Sequence, residues 1–310
     1  MTKKVVLLFP GQGSQYVGMG KDFYDNEPIA RELFHQGNEL LNSDITSICF
    51  NGPKESLNLT ENTQPAILIT SIIALKIFIG NGIEIKVAAG HSLGEYSALV
   101  AAEALSFADA VPLVHLRGKL MQDAVPAGKG AMAAIIGLQK EEVKVLCDEI
   151  KEGLVQPANY NSSEQIVIAG EKEAVDKAID LAKNTAKRVI PIPVSAPSHS
   201  SLMNPAQVNL TKELKKIQFN DLKFPVVTNV DASPVFKADE AVSALGRQLT
   251  APVRWEESMK YIVHQGIDTA IEMGPKKVLS GLMKRIDKNI KCFHVEDMKS
   301  LEETLSELKN

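Results

Sequence analysis

The chain alternates between short β-prone runs and longer segments in which apolar residues have helical spacing. Val5–Phe9 is continuously apolar, which is typical of a central strand in a parallel sheet that is buried on both faces. Pro28–Leu41 has the apolar spacing of an amphipathic helix, and Phe107–Ala124 predicts another helix. Strands that alternate with helices in this way indicate an α/β fold, whose largely parallel sheet is covered by helices on both faces.

The pattern changes near residue 125. The elements that follow have the order β-α-β-β-α-β, which is the ferredoxin-like unit: strands 130–136, 155–159, 165–169 and 188–194, and helices 140–151 and 171–184. A Pro/Ser-rich loop, residues 195–201, then returns the chain to the larger fold. The sequence therefore predicts a discontinuous α/β core of residues 1–124 and 197–310, and an inserted ferredoxin-like subdomain of residues 125–196.

The longest apolar run, residues 66–79, contains Lys76 and is shorter than the roughly 20 residues that span a bilayer. It predicts a buried helix, and the apolar run after Lys4 is too short for a signal peptide. Cys49, Cys147 and Cys292 are scattered, with no C-x-x-C and no metal-ligand spacing. These features predict a cytoplasmic protein with reduced cysteines, no metal site and no membrane association.

Composition and charge narrow the possible partners. The 310 residues are 45% hydrophobic and 23% charged, with a net charge of −4, which are values of a globular protein. No overall attraction to nucleic acid or to an anionic membrane is predicted. An acidic partner would need a local basic patch, and two basic clusters are candidates: Lys276, Lys277, Lys284 and Arg285 form one, and Lys187 and Arg188 form the other.

A G-x-S-x-G pattern, with Gly90, Ser92 and Gly94, stands between a β-prone run at 83–89 and an Ala-rich helical stretch at 97–104. This is the pattern of a nucleophile elbow, in which the sharp turn leaves no room for side chains at the two glycines. Ser92 would stand at the strand tip, close to helix N–H groups that can stabilise an oxyanion. The alternative is an ordinary strand-to-helix turn with a capping serine.

A Gly-rich loop at residues 10–15 follows the first strand. It is not a dinucleotide fingerprint, because Tyr16 stands where G-x-G-x-x-G needs its last glycine, and the P-loop pattern is absent as well. The glycines instead predict a loop whose backbone approaches a ligand, with Gln12 as its prominent polar residue.

A serine nucleophile needs a base, and the chain has six histidines. His199 is favoured because it lies in the irregular Pro/Ser-rich loop at a predicted domain junction, whereas His91 is expected to point away from the neighbouring nucleophile. The alternative is that His199 is an ordinary histidine on a surface loop. No acidic residue stands out as a third member, and a backbone carbonyl could orient the imidazole equally well. Arg117 is either an ordinary helix arginine or a clamp for a substrate carboxylate.

Several motifs together resemble the malonyl-CoA:acyl carrier protein transacylases of bacterial type II fatty acid synthesis. They occur in order over nearly the whole chain: FPGQGSQ at 9–15, GHSLGEY at 90–96, RG at 117–118, GAMAA at 130–134, PVSAPSH at 193–199, PVRW at 252–255 and EMGP at 272–275. The resemblance implies an α/β-hydrolase-like core with a parallel sheet and an inserted ferredoxin-like subdomain. One small departure is Lys276, which stands where this family often has glycine.

The resemblance also implies roles for particular residues. Ser92 is similar to the acyl-accepting nucleophile, His199 to its base, and Gln248 to the residue whose main-chain carbonyl orients that base. The backbone N–H groups of Gln12 and Leu93 correspond to the oxyanion hole. Arg117 resembles the arginine that holds the free carboxylate of the malonyl group.

The implied reaction moves a malonyl group from malonyl-CoA to the phosphopantetheine thiol of acyl carrier protein through a malonyl-serine intermediate. No metal or redox cofactor is implied, and the implied partner, acyl carrier protein, is small and acidic in this family. Two other functions remain open on the sequence alone. A thioesterase or esterase could use the same elbow and admit water, and a non-catalytic module could bind the acyl group or the carrier protein without reaction.

Overall fold

A computed structural model describes residues 4–79, 83–194 and 196–309 of the chain. Ser195, in the predicted Pro/Ser-rich loop, lies outside the described residues, as do the ends of the predicted core at 1–3 and 310. Within the described part the strands form two sheets. Six strands make the larger one: β1 (Val5–Phe9), β2 (Ile85–Gly90), β7 (Val226–Val227), β8 (Pro234–Val235), β9 (Thr269–Met273) and β10 (Lys291–Val295).

The larger sheet has the order β10-β9-β1-β2-β7-β8, and its neighbouring strands are parallel except for the β7–β8 pair. Both of its faces are covered. Leu7 and Phe9 of β1 belong to one hydrophobic cluster, whereas Val6 and Leu8 belong to the cluster around Trp255 on the other face. Because every side chain of β1 is buried on one face or the other, the strand has no polar alternation.

The helices in the described residues surround this sheet and flank the smaller one. They are α1 (Lys21–Asn26), α2 (Pro28–Leu41), α3 (Ile45–Asn51), α4 (Lys54–Asn58), α5 (Thr60–Ile79), α6 (Gly94–Ala101), α7 (Phe107–Ala124), α8 (Lys140–Glu149), α9 (Lys172–Ala182), α10 (Asn204–Leu214), α11 (Ala238–Gln248), α12 (Trp255–His264), α13 (Val278–Ile286) and α14 (Met298–Lys309). Helices α5 and α7 pack against each other beneath one face of the larger sheet.

The smaller sheet is antiparallel and comes from one continuous part of the chain. Its strands are β3 (Gly130–Ile136), β4 (Val155–Ser162), β5 (Gln165–Glu171) and β6 (Arg188–Ile192), in the order β4-β5-β3-β6. Helices α8 and α9 pack on one face. Strand β4 also bonds to the rest of the molecule, because Val253 exchanges two main-chain hydrogen bonds of 2.8 Å with Ala158 and Tyr160.

The parallel register of β1 and β2 brings two loops together. Phe9 lies opposite Gly90, so the Gly-rich loop and the G-x-S-x-G turn leave the sheet at the same edge. The backbones touch there: a Cβ on Gly11 would lie 2.3 Å from the His91 oxygen, and one on Gly94 would lie 2.0 Å from the Phe9 oxygen. Glycine at both positions therefore permits a contact between main chains that other residues would prevent.

Helix α5 is the buried apolar helix, but it begins at Thr60 rather than near residue 66, and Pro65 lies inside it. A proline has no N–H for the carbonyl four residues earlier. That carbonyl, on Glu61, accepts a hydrogen bond of 2.9 Å from His115 Nδ1 of α7 instead. Among the described residues α5 is the one helix long and apolar enough to cross a bilayer. Of its most apolar 18-residue stretch, 78% is buried inside the protein.

Lys276, the departure from the family pattern, has a positive φ of 65°. This left-handed conformation is one that glycine adopts without strain, whereas other residues carry a cost of about 1–2 kcal/mol. The turn is held in place by the Lys276 N–H, which donates to Glu296 Oε2 at 2.9 Å, and by Lys276 Nζ, which lies 3.2 Å from the Gly13 oxygen. The backbone of this turn therefore has the shape that the family's usual glycine would favour.

We expect Lys276→Gly to raise the free energy of unfolding by about 0.5–1 kcal/mol, because relief of the left-handed strain outweighs the added entropy of the unfolded chain. Urea unfolding with an unchanged m-value measures the effect. Lys277→Gly is the matched control, because Lys277 has a φ of −127° and glycine there removes no strain. Equal changes at the two positions would show that the conformation of Lys276 costs nothing.

Candidate active site

Ser92 lies at a sharp turn between β2 and α6, with a left-handed φ of 52°. The turn is so tight that a Cβ on Gly90 would lie 1.8 Å from the carbonyl carbon of Gly94. A non-glycine residue in this conformation stores strain, which persists only where the surroundings hold it in place. The local sequence thus produces the nucleophile-elbow geometry, with the serine presented at the end of the central sheet.

His199 reaches Ser92 from the loop before α10. Its Nε2 lies 2.8 Å from Ser92 Oγ, and its Nδ1 lies 2.9 Å from the Gln248 oxygen and 3.2 Å from the Ala251 oxygen. Carbonyl oxygens only accept, so Nδ1 carries the proton and Nε2 presents a lone pair to the serine hydroxyl. The arrangement can therefore remove the Ser92 proton, and main-chain carbonyls orient the imidazole where a triad would use a carboxylate.

Arg117 is 1% exposed and points from α7 to the same serine. Its Nη1 donates to Gln64 Oε1 and its Nη2 to Gln248 Oε1, both at 2.8 Å, and Nη2 also lies 3.2 Å from Ser92 Oγ. The guanidinium carbon lies 5.3 Å from the centre of the Tyr96 ring. Amide oxygens and an aromatic face hold this cation, and its hydrogen bonds to described residues include none to a carboxylate.

The N–H groups of Gln12 and Leu93 belong to the two loops that touch at the sheet edge. Leu93 is the residue just before α6, and Gln12 lies in the Gly-rich loop. Neither main-chain N–H donates a hydrogen bond to another described residue. Two free N–H groups beside the Ser92 hydroxyl can donate hydrogen bonds to an oxygen on which negative charge develops.

A pocket of about 210 Å³ opens above these groups and is shared by the two sheets. Ser92, His199 and Gln12 line it from the larger fold. Apolar side chains continue the lining: Met132, Ala134 and Val167 come from the smaller sheet, and Leu279 and Leu282 from α13. Polar side chains around Ser92 thus share the pocket with a larger apolar surface, as in many sites for small organic ligands.

His91, the neighbour of Ser92, contributes to the wall of this pocket and not to the serine–imidazole pair. Its Nε2 lies 2.8 Å from Asn161 Oδ1 of β4, and its ring packs against Trp255 with centroids 5.4 Å apart. Burial lowers the pKa of His91. The residue next to the elbow thereby connects the larger fold to the smaller sheet.

Residues 6–303 match the family model described as acyl transferase domain. The chain belongs to this acyl transferase family. It is 48% identical over 309 residues to the malonyl CoA-acyl carrier protein transacylase of Bacillus subtilis (strain 168), a match that covers 99% of this chain and 98% of that relative. The resemblance stated from the sequence motifs is thereby confirmed.

Solved structures of acyl transferases extend the likeness to the fold. The malonyl CoA-acyl carrier protein transacylase from Coxiella burnetii superposes with a TM-score of 0.97 at 42% identity, covering 100% of this chain and 99% of that chain. A malonyl-transacylase in complex with a type II PKS acyl-carrier protein superposes with a TM-score of 0.96 at 44% identity, covering 98% and 100%. The mixed α/β architecture of this acyl transferase, with one mainly parallel and one antiparallel sheet, is thus that of the transacylases.

The surroundings of His199 in this acyl transferase determine the charge of its imidazole. Burial first, and the positive charge of Arg117 second, lower the pKa of His199 from 6.5 to about 3. The imidazole is therefore neutral near pH 7, and its Nε2 lone pair faces the Ser92 hydroxyl. Burial also lowers the pKa of Arg117, but an arginine begins so high that it stays charged in proteins.

Two features of the site escaped the sequence analysis. Asn229, after β7, has its side chain against both sides of the elbow: Oδ1 accepts from the Ser92 N–H and Nδ2 donates to the Gly90 oxygen, each at 2.7 Å. The second feature is the side chain of Gln248, whose oxygen accepts from Arg117 Nη2 and whose nitrogen donates to the Ser92 oxygen. The sequence predicted a role only for the main-chain carbonyl of this residue. Asn229 follows the strand beside β2, and its place at the carboxyl end of a parallel strand was the signal that could have found it.

We expect Asn229→Ala to slow the reaction of Ser92 with a serine-directed sulfonyl fluoride at least tenfold, because the strained elbow loses a support on each side. The free energy of unfolding should also fall by about 1–3 kcal/mol, since a buried N–H and a buried carbonyl lose their partner. Asn38→Ala is the matched control, because Asn38 bonds to Thr46 far along the chain from the elbow. An Asn229 variant that loses stability but reacts at the wild-type rate would show that Asn229 does not hold Ser92 in its reactive conformation.

Proposed function

We propose that this acyl transferase moves the malonyl group of malonyl-CoA to the phosphopantetheine thiol of acyl carrier protein, and so supplies the extender unit for fatty acid biosynthesis. The observation that carries the proposal is the buried Arg117 guanidinium, 3.2 Å from the Ser92 hydroxyl. A cation in that place suits an acyl group with a free carboxylate at its far end. The transacylase names of the Bacillus subtilis and Coxiella burnetii relatives support the same reaction.

In the first half-reaction His199 Nε2 takes the Ser92 proton as Oγ attacks the thioester carbonyl of malonyl-CoA. The carbonyl oxygen becomes an oxyanion and accepts hydrogen bonds from the N–H groups of Gln12 and Leu93. When the intermediate collapses, the carbon–sulfur bond breaks and the imidazolium returns its proton to the departing coenzyme A sulfur. Ser92 is left as a malonyl ester.

In the second half-reaction the thiol of phosphopantetheine attacks that ester while His199 accepts the thiol proton. Collapse of the second oxyanion breaks the Ser92 ester bond, and the imidazolium returns a proton to Oγ. One thioester has been exchanged for another, so no atom changes oxidation state and no redox cofactor is required. Within the proposal Ser92 and His199 carry every proton transfer, and no step calls for a metal.

Arg117 supplies selectivity in this proposal. A malonyl carboxylate that enters a buried site without a counter-charge loses several kcal/mol of hydration. The guanidinium offsets that loss, whereas an acetyl group would leave the buried cation without an anionic partner. The buried Nε of Arg117 has no hydrogen-bond partner among the described residues, which leaves a donor for such a carboxylate.

Positive charge at the rim of the pocket supports an acidic carrier protein as partner. Val278, at the start of α13, lines the pocket and is 45% exposed. Lys277 precedes it, and Lys284 and Arg285 follow on the same helix with exposed side chains. The transacylase solved with an acyl-carrier protein points to the same class of partner.

The finer architecture belongs to this proposal as well. We assign residues 1–124 and 197–310 to an α/β-hydrolase-like core, supported by the parallel sheet and the elbow after β2. Residues 125–196 form the inserted ferredoxin-like subdomain, supported by the element order β3-α8-β4-β5-α9-β6. A cytoplasmic location is supported by three free cysteines.

Intact-protein mass spectrometry after brief mixing with malonyl-CoA tests the function. We expect the wild type to gain one malonyl group that Ser92→Ala does not gain, and we expect carrier protein to remove it much faster than water. Rapid release of free malonate without transfer would identify a thioesterase or esterase. No adduct and no turnover would indicate that the protein is a non-catalytic binding module.

We expect Arg117→Ala to lower the ratio of malonyl to acetyl transfer at least tenfold, because the carboxylate loses a desolvated charged partner. Rates of acyl-enzyme formation with the two coenzyme A thioesters measure the ratio. Arg31→Ala is a suitable control, since Arg31 bonds to the Tyr24 oxygen on α1, whereas Arg117 bonds to Ser92 and Gln248. An unchanged ratio in Arg117→Ala would refute the carboxylate clamp.

A further inference from the structure

Glu95 is a buried carboxyl group three residues after the nucleophile, and the proposed mechanism does not use it. It is 1% exposed, and its Oε2 accepts hydrogen bonds from the Asn229 N–H at 3.0 Å and from Gln248 Nε2 at 2.9 Å. We propose that Glu95 regulates the selectivity for malonyl: its ionised form opposes binding of the substrate carboxylate at Arg117, and its neutral form permits it. This inference rests on the proposed function.

The Gln248 amide separates Glu95 from Arg117. Its Oε1 accepts from Arg117 Nη2 at 2.8 Å, while its Nε2 donates to Glu95 Oε2 at 2.9 Å. A direct ion pair would occupy guanidinium N–H groups and neutralise the charge that attracts the substrate. One amide prevents this pairing, yet it leaves the carboxyl close enough for its charge to act on the malonyl carboxylate through a poorly screened interior.

Charged and titratable groups surround Glu95 on several elements. Arg117 of α7 and Tyr96 of α6 are nearest along the buried side, and Asp231, after β7, adds negative charge. Arg247 of α11 pairs with Asp231 at 2.6 Å and so places a positive charge beside that carboxylate. The carboxyl responds first to its burial, then to the Gln248 and Asn229 hydrogen bonds, and after these to the Arg117 charge.

The direction of the pH effect follows from this environment. Burial raises the pKa of Glu95 to about 7, against the opposing effects of the Gln248 and Asn229 hydrogen bonds and the Arg117 charge. Below that pH the carboxyl is neutral and the Arg117 charge is fully available to malonyl. Above it, Glu95 is ionised, two carboxylates would share one guanidinium, and malonyl loses its advantage over acetyl. Binding of malonyl near pH 7 should accordingly take up a proton at Glu95.

The test is the ratio of kcat/KM for malonyl-CoA to kcat/KM for acetyl-CoA, measured from about pH 6 to about pH 8. His199 stays neutral over this range. Titration of the coenzyme A phosphates affects both substrates alike and cancels in the ratio. We expect the wild-type ratio to fall about fivefold or more over this range, and the ratio of Glu95→Gln to stay flat. A wild-type ratio that does not change, or a slope that persists in Glu95→Gln, would overturn the proposal.

Glu272→Gln is the matched control. Glu272 is also buried, accepts two main-chain N–H groups, from Leu279 and Ser280, and has a pKa raised by burial. It caps α13 and makes no hydrogen bond to Arg117 or Gln248. We expect its ratio to keep the wild-type slope, and a flat ratio in this variant would show that the slope is not specific to Glu95.

Failure of this inference can be told apart from failure of the proposed function. If the wild type forms the malonyl adduct on Ser92 but its malonyl-to-acetyl ratio does not change with pH, the proposed function stands and the role of Glu95 is disproved. If Glu95→Gln does not fold, calorimetry on Ser92→Ala in two buffers of different ionisation enthalpy replaces it. We expect malonyl-CoA to take up about half a proton more than acetyl-CoA near pH 7, and equal uptake would overturn the inference.

Discussion

The site depends on the close approach of two main chains at one edge of the larger sheet. The loop after β1 and the turn after β2 touch through Gly11 against His91 and through Gly94 against Phe9. The parallel register of the two strands brings both loops to this edge. Because glycine has no side chain, the two main chains can come into direct contact there. The N–H groups of Gln12 and Leu93 belong to these loops, so the contact that shapes the elbow also sets the two donors relative to Ser92.

Arg117 imposes the second constraint, because a buried cation must be held without being neutralised. A guanidinium removed from water loses several kcal/mol of hydration unless partners replace it. Gln64 and Gln248 supply amide oxygens, and Tyr96 supplies an aromatic face. A carboxylate in either amide position would pair with the guanidinium and cancel its charge. The amide oxygens are neutral, so these hydrogen bonds hold Arg117 without cancelling its positive charge.

Local patterns predicted the parts of the fold that depend on nearby residues. The unbroken apolar run of β1 follows from burial on both faces, and the elbow follows from three residues within five positions. The start of α5 was missed, since Pro65 lies inside the helix and the Glu61 carbonyl that it leaves without a donor accepts from His115 of another helix. The C-terminal helix α14 was missed too, although Asp297 caps it through the Ser300 N–H at 2.7 Å.

Gln248 shows why the rest of the site could not be deduced from residue types. Its main-chain oxygen orients His199, its side-chain oxygen holds Arg117, and its side-chain nitrogen donates to the Ser92 oxygen and to Glu95. The first role belongs to the backbone and survives any side-chain replacement that keeps α11 in place. The other three belong to the amide and are lost together. The contact that orients the His199 imidazole and the contact that holds Arg117 therefore belong to one residue but to different atoms, which is information that only the folded chain contains.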